Sequence, residues 1–101
     1  MNRLFKIEAS INIHQKGGRT RPIRTGYRPG FNFVENKQTS GSIDLLKREE
    51  LNPGEGGFVE VSFISEELLG EIKPGIDFKF YEGPNEIGKG KVLEVLGWVE
   101  N

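Results

Sequence analysis

The feature that most constrains the fold is an alternation of apolar and polar residues near the N-terminus. From Phe5 to Ile13 every second residue is apolar, and the residues between them and the following His14 are polar or charged. Successive side chains of a strand point to opposite faces. The pattern therefore predicts a β-strand over Phe5 to His14, with one face in the core and the other in solvent.

The same alternation recurs along the chain between turn residues. Further extended segments are predicted at Thr20–Thr25, Phe31–Val34, Gly41–Leu45, Phe58–Ile64, Ile76–Tyr81 and Glu86–Leu96. Pro22 cannot donate to a strand ladder, so the first of these segments is predicted to lie at an edge or a bulge. Residues 47–57 are predicted to form a surface loop, and Ser65 is predicted to cap a single helical turn over residues 65–69.

These segments leave no room for the helices that connect parallel strands. The chain has 101 residues, of which 35% are hydrophobic and 14 are glycine, as is typical of one small sheet domain rich in turns. Six or seven strands then imply an antiparallel sheet, and closure into a barrel is the simplest way to avoid exposed edges. We therefore predict a single all-β domain over residues 1–101.

Acidic and basic residues are segregated along the chain. There are 14 Lys and Arg and 15 Asp and Glu, which give a net charge of −1, so the surface as a whole is not predicted to attract nucleic acid. Residues 1–37 hold eight basic and two acidic residues, a net +6, whereas the rest hold six and thirteen, a net −7. One basic flank could bind a polyanion on that side only.

The chain offers little of the chemistry that an enzyme or a metal site requires. It has no cysteine and one histidine, His14, which we expect to be solvated on the polar face of the first strand. No catalytic, cofactor-binding or metal-binding residue is predicted, and a hydrolase stays only as a residual alternative. The sequence has no signal peptide and no transmembrane stretch, so we expect a cytoplasmic protein without a membrane partner.

The segment from Gly83 to Gly90 approximates a phosphate-binding loop. It fits Gly-x-x-x-x-Gly-Lys, but Gly90 stands where the motif has the Ser or Thr that binds magnesium. The following residues are rich in Val and Gly, whereas a phosphate loop must open a helix. We therefore predict a hairpin turn followed by a glycine-bearing strand.

A basic run without acidic residues occupies residues 14–28. Its cationic residues are Lys16, Arg19, Arg21, Arg24 and Arg28. If the segment is extended, Arg19 and Arg21 project from one face and could meet adjacent phosphates. The alternative is a solvated loop, or a set of ion pairs with the acidic half of the chain.

The same run carries a resemblance to a known family. Its blocks Gly17-Gly18-Arg19-Thr20 and Thr25-Gly26-Tyr27-Arg28-Pro29 are followed by Ser40-Gly41-Ser42-Ile43 and Lys73-Pro74-Gly75. In order and approximate spacing, these blocks resemble the C-terminal β-barrel, or third domain, of bacterial elongation factor Tu. The resemblance spans roughly residues 5–97. It implies a single closed six-stranded antiparallel β-barrel, in agreement with the strand pattern.

The resemblance also implies a function without catalysis. In that family the third domain helps to hold the T-arm of aminoacyl-tRNA, packs against the GTPase domain and contributes to the binding of the nucleotide-exchange factor. Matching positions and the basic run give the RNA-binding candidates Arg19, Thr20, Arg21, Ser40, Glu82 and Gly83. Arg19 would meet phosphate, and Glu82 would accept a hydrogen bond from a ribose 2′-hydroxyl, the group that distinguishes RNA from DNA.

Several positions depart from the family pattern. The family usually has His where Thr20 stands, Gln at Gly30, Ala at Lys79 and Arg at Tyr81. Gly30 and Lys79 fall on the family's surface toward its GTPase domain, where a buried unpaired ammonium would be costly. We therefore expect a barrel that does not dock a GTPase domain in cis, and Gly30, Lys79 and Tyr81 are the candidates for a protein interface.

Two functions follow as hypotheses, neither of which requires a cofactor. The first is a non-catalytic module of translation that binds tRNA or another structured RNA, and not DNA, through its basic face. The second is a protein-interaction module that binds or regulates translation factors, or a GTPase domain in trans, without RNA. In the second case the acidic half and the loop at 47–57 would carry the contact.

Overall fold

The fold is built almost entirely of β-strands. The computed structural model describes residues 3–34, 37–64 and 69–100. In this part of the chain the elements are β1 (Arg3–Ile13), β2 (Ile23–Arg24), β3 (Gly30–Val34), β4 (Lys37–Leu45), β5 (Glu50–Leu51), β6 (Gly56–Phe63), a 3-10 turn (Leu69–Glu71), β7 (Asp77–Glu82) and β8 (Asn85–Glu100). None of its helical segments has the length and apolar character needed to span a bilayer.

Six of the strands close into a barrel. Their order is β1-β6-β4-β3-β7-β8, with β8 returning to β1, and every neighbouring pair is antiparallel. Closure leaves none of these six strands as a free edge. The prediction of a closed six-stranded antiparallel β-barrel is confirmed.

The alternation in β1 determines which of its faces enters the barrel. The side chains of Phe5, Ile7, Ala9, Ile11 and Ile13 are all buried. β1 pairs with β6 on one side and with β8 on the other over most of its length. A strand that is paired on both sides has its backbone groups satisfied, so this one segment organises half of the barrel.

Aromatic rings fill the centre of the barrel. Phe31 lies with its ring centroid 5.5 Å from that of Phe63, 5.7 Å from Phe78 and 5.9 Å from Phe80. Gly88, opposite Phe80 on β8, is buried, and a Cβ there would lie 2.5 Å from the carbonyl oxygen of Asn12. The glycine-rich segment at 83–90 is thus a hairpin turn that leads into a strand, as predicted.

The second predicted strand is much shorter than expected. Only Ile23 and Arg24 of the segment Thr20–Thr25 are in a strand, which pairs with β5 as a separate two-stranded ladder. Pro22 ends the pairing because it has no N–H to donate. The predicted loop at 47–57 contains β5, because Leu51 is buried in the core opposite Ile23.

Other strands extend beyond their predicted bounds. β4 begins at Lys37 instead of Gly41, and β8 continues for 16 residues to Glu100. Two register shifts along β1 and β8 accompany the extra length, as expected where one strand carries bulges. The helical turn predicted over 65–69 lies outside the described residues except for Leu69. The described chain resumes at Leu69 with a 3-10 turn, Leu69–Glu71.

Candidate nucleic-acid interface

The basic run at residues 14–28, hereafter the basic loop, is folded back onto the barrel at both ends. At its start, the backbone N–H of His14 donates to the carbonyl of Ile87 at 2.9 Å. At its end, Gly26 N–H donates to the carbonyl of Ile43 and Ile43 N–H donates to that of Tyr27, both at 2.8 Å. Gly26 can make this turn because its φ of +99° costs a glycine little. The loop is therefore held against β8 and β4.

Arg19, Tyr27 and Glu82 form a cluster, hereafter the clasp, which ties the basic loop to the end of β7. Both the Arg19 Nη1 and the Tyr27 hydroxyl donate to the same carboxylate oxygen, Oε1 of Glu82, and the Tyr27 contact is 2.5 Å long. The Arg19 guanidinium also lies over the Tyr27 ring, 4.7 Å from its centroid, a cation–π arrangement. Three kinds of contact thus converge on residues from separate parts of the chain.

The remaining donors of Arg19 hold the loop itself in shape. Its Nε donates to the carbonyl of Arg21 at 3.1 Å, and its Nη2 donates to that of Pro22 at 3.3 Å. The side chain is 19% exposed. Arg19 therefore uses most of its hydrogen-bonding capacity inside the protein, because a guanidinium has five N–H groups in a fixed geometry.

The clasp changes the ionisation of its members. Partial burial, reinforced by the hydrogen bond to Glu82, raises the pKa of Tyr27, so the phenol stays protonated and remains a donor. The hydrogen bond from Tyr27, followed by the contacts with Arg19, lowers the pKa of Glu82 against the opposing effect of burial. Burial opposes the charge of Arg19, but the contact with Glu82 raises its pKa overall. All three groups hold the protonation states that the clasp requires at neutral pH.

The other cations of the basic loop are more available. Lys16, Arg21 and Arg28 are exposed, and none of them forms an ion pair with any residue in the described part of the chain. Arg24 is paired with Glu50 at 3.1 Å on the β2–β5 ladder. The two alternatives for the basic run therefore both apply, since some of its arginines bridge to the acidic half and others face solvent.

The prediction that Arg19 and Arg21 project from one face of an extended strand is wrong. Residues 14–22 form no strand, so the period of two does not apply to them. Arg19 is engaged by Glu82, whereas Arg21 and the neighbouring Thr20 are exposed. Tyr27, which completes the clasp, was not among the candidates, and its partner Glu82 lies 55 residues away in sequence.

The remaining candidates lie on neighbouring strands. Gly83 follows Glu82 directly and sits in the β7–β8 turn with φ of +57°. The exposed Ser40 pairs in register with Gly30, which pairs on its other side with Tyr81. Ser40, Gly30 and Tyr81 thus form one row across β4, β3 and β7, next to the residue that closes the clasp.

His14 is not the solvated residue that its position in the strand pattern predicts. Its side chain is 29% exposed, and its Nε2 lies 2.6 Å from Oε2 of Glu86. The other oxygen of Glu86 lies 3.4 Å from Nζ of Lys79. The contact with His14, together with Lys79, lowers the pKa of Glu86 despite partial burial. The separation of 72 residues explains why sequence reasoning missed the pair.

A depression of about 830 Å³, hereafter the groove, lies on the outer surface of the barrel across β1, β8, β7 and β3. Two of the interface candidates, Lys79 and Tyr81, line it, and Gly30 lies beside Tyr81 on β3. Lys89, Asn12 and Asn32 are among the other lining residues. Across residues 3–34, 37–64 and 69–100, no group of three or more His, Asp or Glu is placed to hold a metal ion.

The amino-acid sequence is similar to part of a known translation factor. It is 32% identical over 94 residues to elongation factor Tu 2 of Streptomyces avermitilis, and the alignment covers 93% of this chain and 23% of that protein. The chain thus spans less than a quarter of the relative's length, and no protein-family model matches it. Nearly the whole chain aligns, so it is a homologue of part of that protein, and its closed six-stranded barrel is consistent with the C-terminal domain of elongation factor Tu.

Proposed function

We propose that this barrel is a non-catalytic RNA-binding module with a role in translation, and that it binds tRNA or a similarly structured RNA through the basic loop. The observation that carries the proposal is the set of exposed cations Lys16, Arg21 and Arg28, which form no ion pair within residues 3–34, 37–64 and 69–100. The relationship to elongation factor Tu supports a role in translation. A single small module binds with modest affinity because its interface is small.

The clasp assigns different roles to the candidate residues in this proposal. Arg21 and Arg28 contact phosphates, whereas Arg19 positions the loop that presents them. Both hydrogen bonds to Glu82 fall on Oε1, and the side chain is 49% exposed. Among the described residues no donor pairs with its Oε2, which can accept a hydrogen bond from a ribose 2′-hydroxyl. Gly83, Thr20 and Ser40 border the same surface.

The test measures tRNA binding by the whole chain as a function of salt. In the double variant with Arg21→Ala and Arg28→Ala, we expect weaker binding and a salt slope smaller by about 0.7 to 0.9 log units per lost contact. Arg3→Ala is the control, since it removes one positive charge outside the basic loop, at the first residue of β1. That control should bind as the unmodified chain does.

Two outcomes would contradict the proposal. One is a dissociation constant for tRNA weaker than about 100 μM at low salt, which is no better than non-specific binding. The other is equal binding by the double variant and by the Arg3→Ala control. A DNA duplex of similar length is a further comparison: DNA lacks the ribose 2′-hydroxyl from which Glu82 would accept a hydrogen bond, so the unmodified chain should bind tRNA more tightly than the duplex.

A protein-interaction module that binds translation factors is the second candidate, and exposed apolar side chains favour it. Phe58, Ile64, Leu93 and Leu96 are between 40% and 63% exposed on the outer surface of the barrel, and large apolar side chains are common at the centre of protein interfaces. The contact would include the acidic half, the segment at 47–57, and the interface candidates Gly30, Lys79 and Tyr81. A GTPase domain in trans is one such partner.

Capture from a cell extract with and without nuclease distinguishes the two candidates. Recovery of a translation factor that survives nuclease treatment supports the protein-interaction module. Recovery of tRNA, with all protein partners lost on nuclease treatment, supports the RNA-binding module. The Phe58→Ser and Leu93→Ser variants should reduce only the first kind of recovery.

A further inference from the structure

The groove contains a row of cationic and amide side chains that the proposed RNA-binding loop does not include. Asn12 on β1 pairs in register with Lys89 on β8, Lys89 pairs with Lys79 on β7, and Lys79 pairs with Asn32 on β3. The neighbouring inward positions of these strands are filled by core residues, so these four side chains lie on the outer face. Lys91 lies two residues further along β8 and also lines the groove.

Two lysines directly opposite each other destabilise a sheet. The Cβ atoms of such a pair lie about 4.5 to 5.5 Å apart, and like charges in that position repel. Lys79 is partly neutralised by Glu86 at 3.4 Å and Lys91 by Asp77 at 3.6 Å. Lys89 forms no ion pair with any residue in 3–34, 37–64 or 69–100. The row therefore holds positive charge that the described part of the chain leaves uncompensated.

Asn32, at one end of the row, adds an unused acceptor. Its Oδ1 is buried from solvent, and among the described residues no donor reaches it. A buried polar atom without a partner costs free energy that a bound donor would recover. A ligand that fits the row therefore carries negative charge for the lysines, and a hydroxyl or other donor on it can pair with Asn32 once this side chain turns from its buried position toward the groove that it lines.

We propose that the groove is a binding site for a ligand with two or more linked phosphate groups. Lys79, Lys89 and Lys91 occupy positions within about 8 Å of one another, because Lys89 lies opposite Lys79 and Lys91 is its diagonal neighbour. That distance suits a diphosphate or triphosphate, whose oxygens accept from several lysines at once. The Lys91–Asp77 pair is exposed, and in the Lys79–Glu86 pair the lysine is exposed and Glu86 keeps its contact with His14, so a polyanion can replace both carboxylates as partners of the lysines at little cost. A protonated phosphate or an attached hydroxyl donates to Asn32.

The experiment titrates the whole chain with inorganic tripolyphosphate at constant ionic strength and follows it by calorimetry and amide NMR shifts. We expect saturable binding, with the largest shifts at Asn32, Lys79 and Lys89, and at least a tenfold loss of affinity when Lys79→Gln and Lys89→Gln are combined. Lys6→Gln is the matched control, because Lys6 is also an outward lysine of the barrel with one carboxylate neighbour, Glu60 at 3.8 Å. It should bind as the unmodified chain does.

A second variant and a second ligand complete the test. Asn32→Leu removes the acceptor while keeping every lysine, and should weaken tripolyphosphate binding severalfold without changing the melting temperature by more than the control does. Shifts of the same groove amides by tRNA would identify the phosphates as those of RNA, and tripolyphosphate binding without them would identify a small molecule. Absence of saturable tripolyphosphate binding, or equal loss in the Lys6→Gln control, would overturn the proposal. Because the basic loop is unchanged in all these variants, failure here leaves the RNA-binding test unaffected.

Discussion

At the scale of single residues, the arginines of the basic loop differ in the number of contacts that each one makes. Arg19 donates to a carboxylate and two carbonyls and stacks on Tyr27, whereas Arg21 is exposed. The two residues carry the same charge and stand two positions apart. Replacing them therefore separates loss of loop structure from loss of surface charge.

We expect Arg19→Ala to lower the free energy of unfolding by about 1 to 2 kcal/mol, because it removes charge-assisted hydrogen bonds whose value is reduced by partial exposure. Arg21→Ala should change it by less than about 0.5 kcal/mol, as is usual for an exposed residue. Urea unfolding of the two variants measures both values. Equal destabilisation by the two replacements would contradict the structural role of Arg19.

The clasp also predicts how stability depends on pH. The folded-state pKa of Glu82 is below its ordinary value of 4.5, so its carboxylate contributes stability that is present in full above 4.5 and is lost as the pH falls through the folded-state pKa. The stability difference between the unmodified chain and Glu82→Gln should therefore be constant between about pH 6 and pH 7. It should shrink when the pH falls below 4.5. Chemical unfolding at a series of pH values measures this difference. A difference that grows on acidification, or one shared by Glu49→Gln, would rule the clasp out as its source.

At the scale of elements, β8 combines two features that make it the strand least tolerant of substitution. It spans 16 residues and pairs with both β1 and β7. Where it crosses the core it carries Gly88 and Gly90, because the rings of Phe80 and Phe78 occupy the space that side chains would fill. Here the need for glycine is steric, since the backbone of β1 and two aromatic rings lie against the Cα atoms.

We therefore expect Gly88→Ala to destabilise the protein by about 3 kcal/mol or more, the upper range for overpacking a core. Gly70→Ala is the control, since no atom would lie within 4 Å of its Cβ and its backbone is not in the left-handed region. Thermal or urea unfolding distinguishes the two. If both variants unfold at the same denaturant concentration, the packing of Gly88 against Phe80 is not the constraint described here.

Sequence reasoning succeeded for the strands that alternate cleanly and failed where burial depends on a distant partner. β1 was predicted almost to its bounds. The first half of β4 was not, because the inward residue there is Thr39, a polar residue that is only 5% exposed. β5 was missed because Leu51 stands next to charged residues, and only its contact with Ile23 makes it part of a ladder.

For the candidate site, too, local sequence features could be predicted and contacts between distant residues could not. The basic loop could be predicted from the charge pattern, and the family resemblance made Arg19 and Glu82 candidates. Their direct contact could not be predicted, because it joins residues that are 63 positions apart. The groove was also beyond reach, since its row of Lys79 and Lys89 depends on the register of β7 against β8.

At the scale of the whole molecule, closure of the barrel distributes backbone hydrogen bonding among all six strands. β1 is paired on both sides along most of its length, whereas β2 and β5 share a ladder of two residue pairs. The cost of opening a segment locally rises with the number of hydrogen bonds and buried contacts that it makes. The two ladders should therefore differ greatly in local stability.

Amide hydrogen exchange provides the measurement. We expect the amides of β1 that pair with β6 and β8, such as that of Ile7, to exchange only by global unfolding, and those of Arg24 and Glu50 to exchange faster by local opening. The Arg19→Ala variant should speed exchange in the basic loop and leave β1 unchanged. Slow exchange at Arg24, equal to that of β1, would mean that the small ladder unfolds together with the barrel.

The pairing of β1 with β8 has a mechanical consequence. Arg3 lies opposite Glu100 in this antiparallel pair, so the two ends of the described chain sit side by side at one end of the barrel. A pulling force applied between these two residues would break the hydrogen bonds between β1 and β8 one after another, starting at this end, instead of all together. The barrel should therefore open like a zipper at low force, even though the closed ring of strands resists thermal opening.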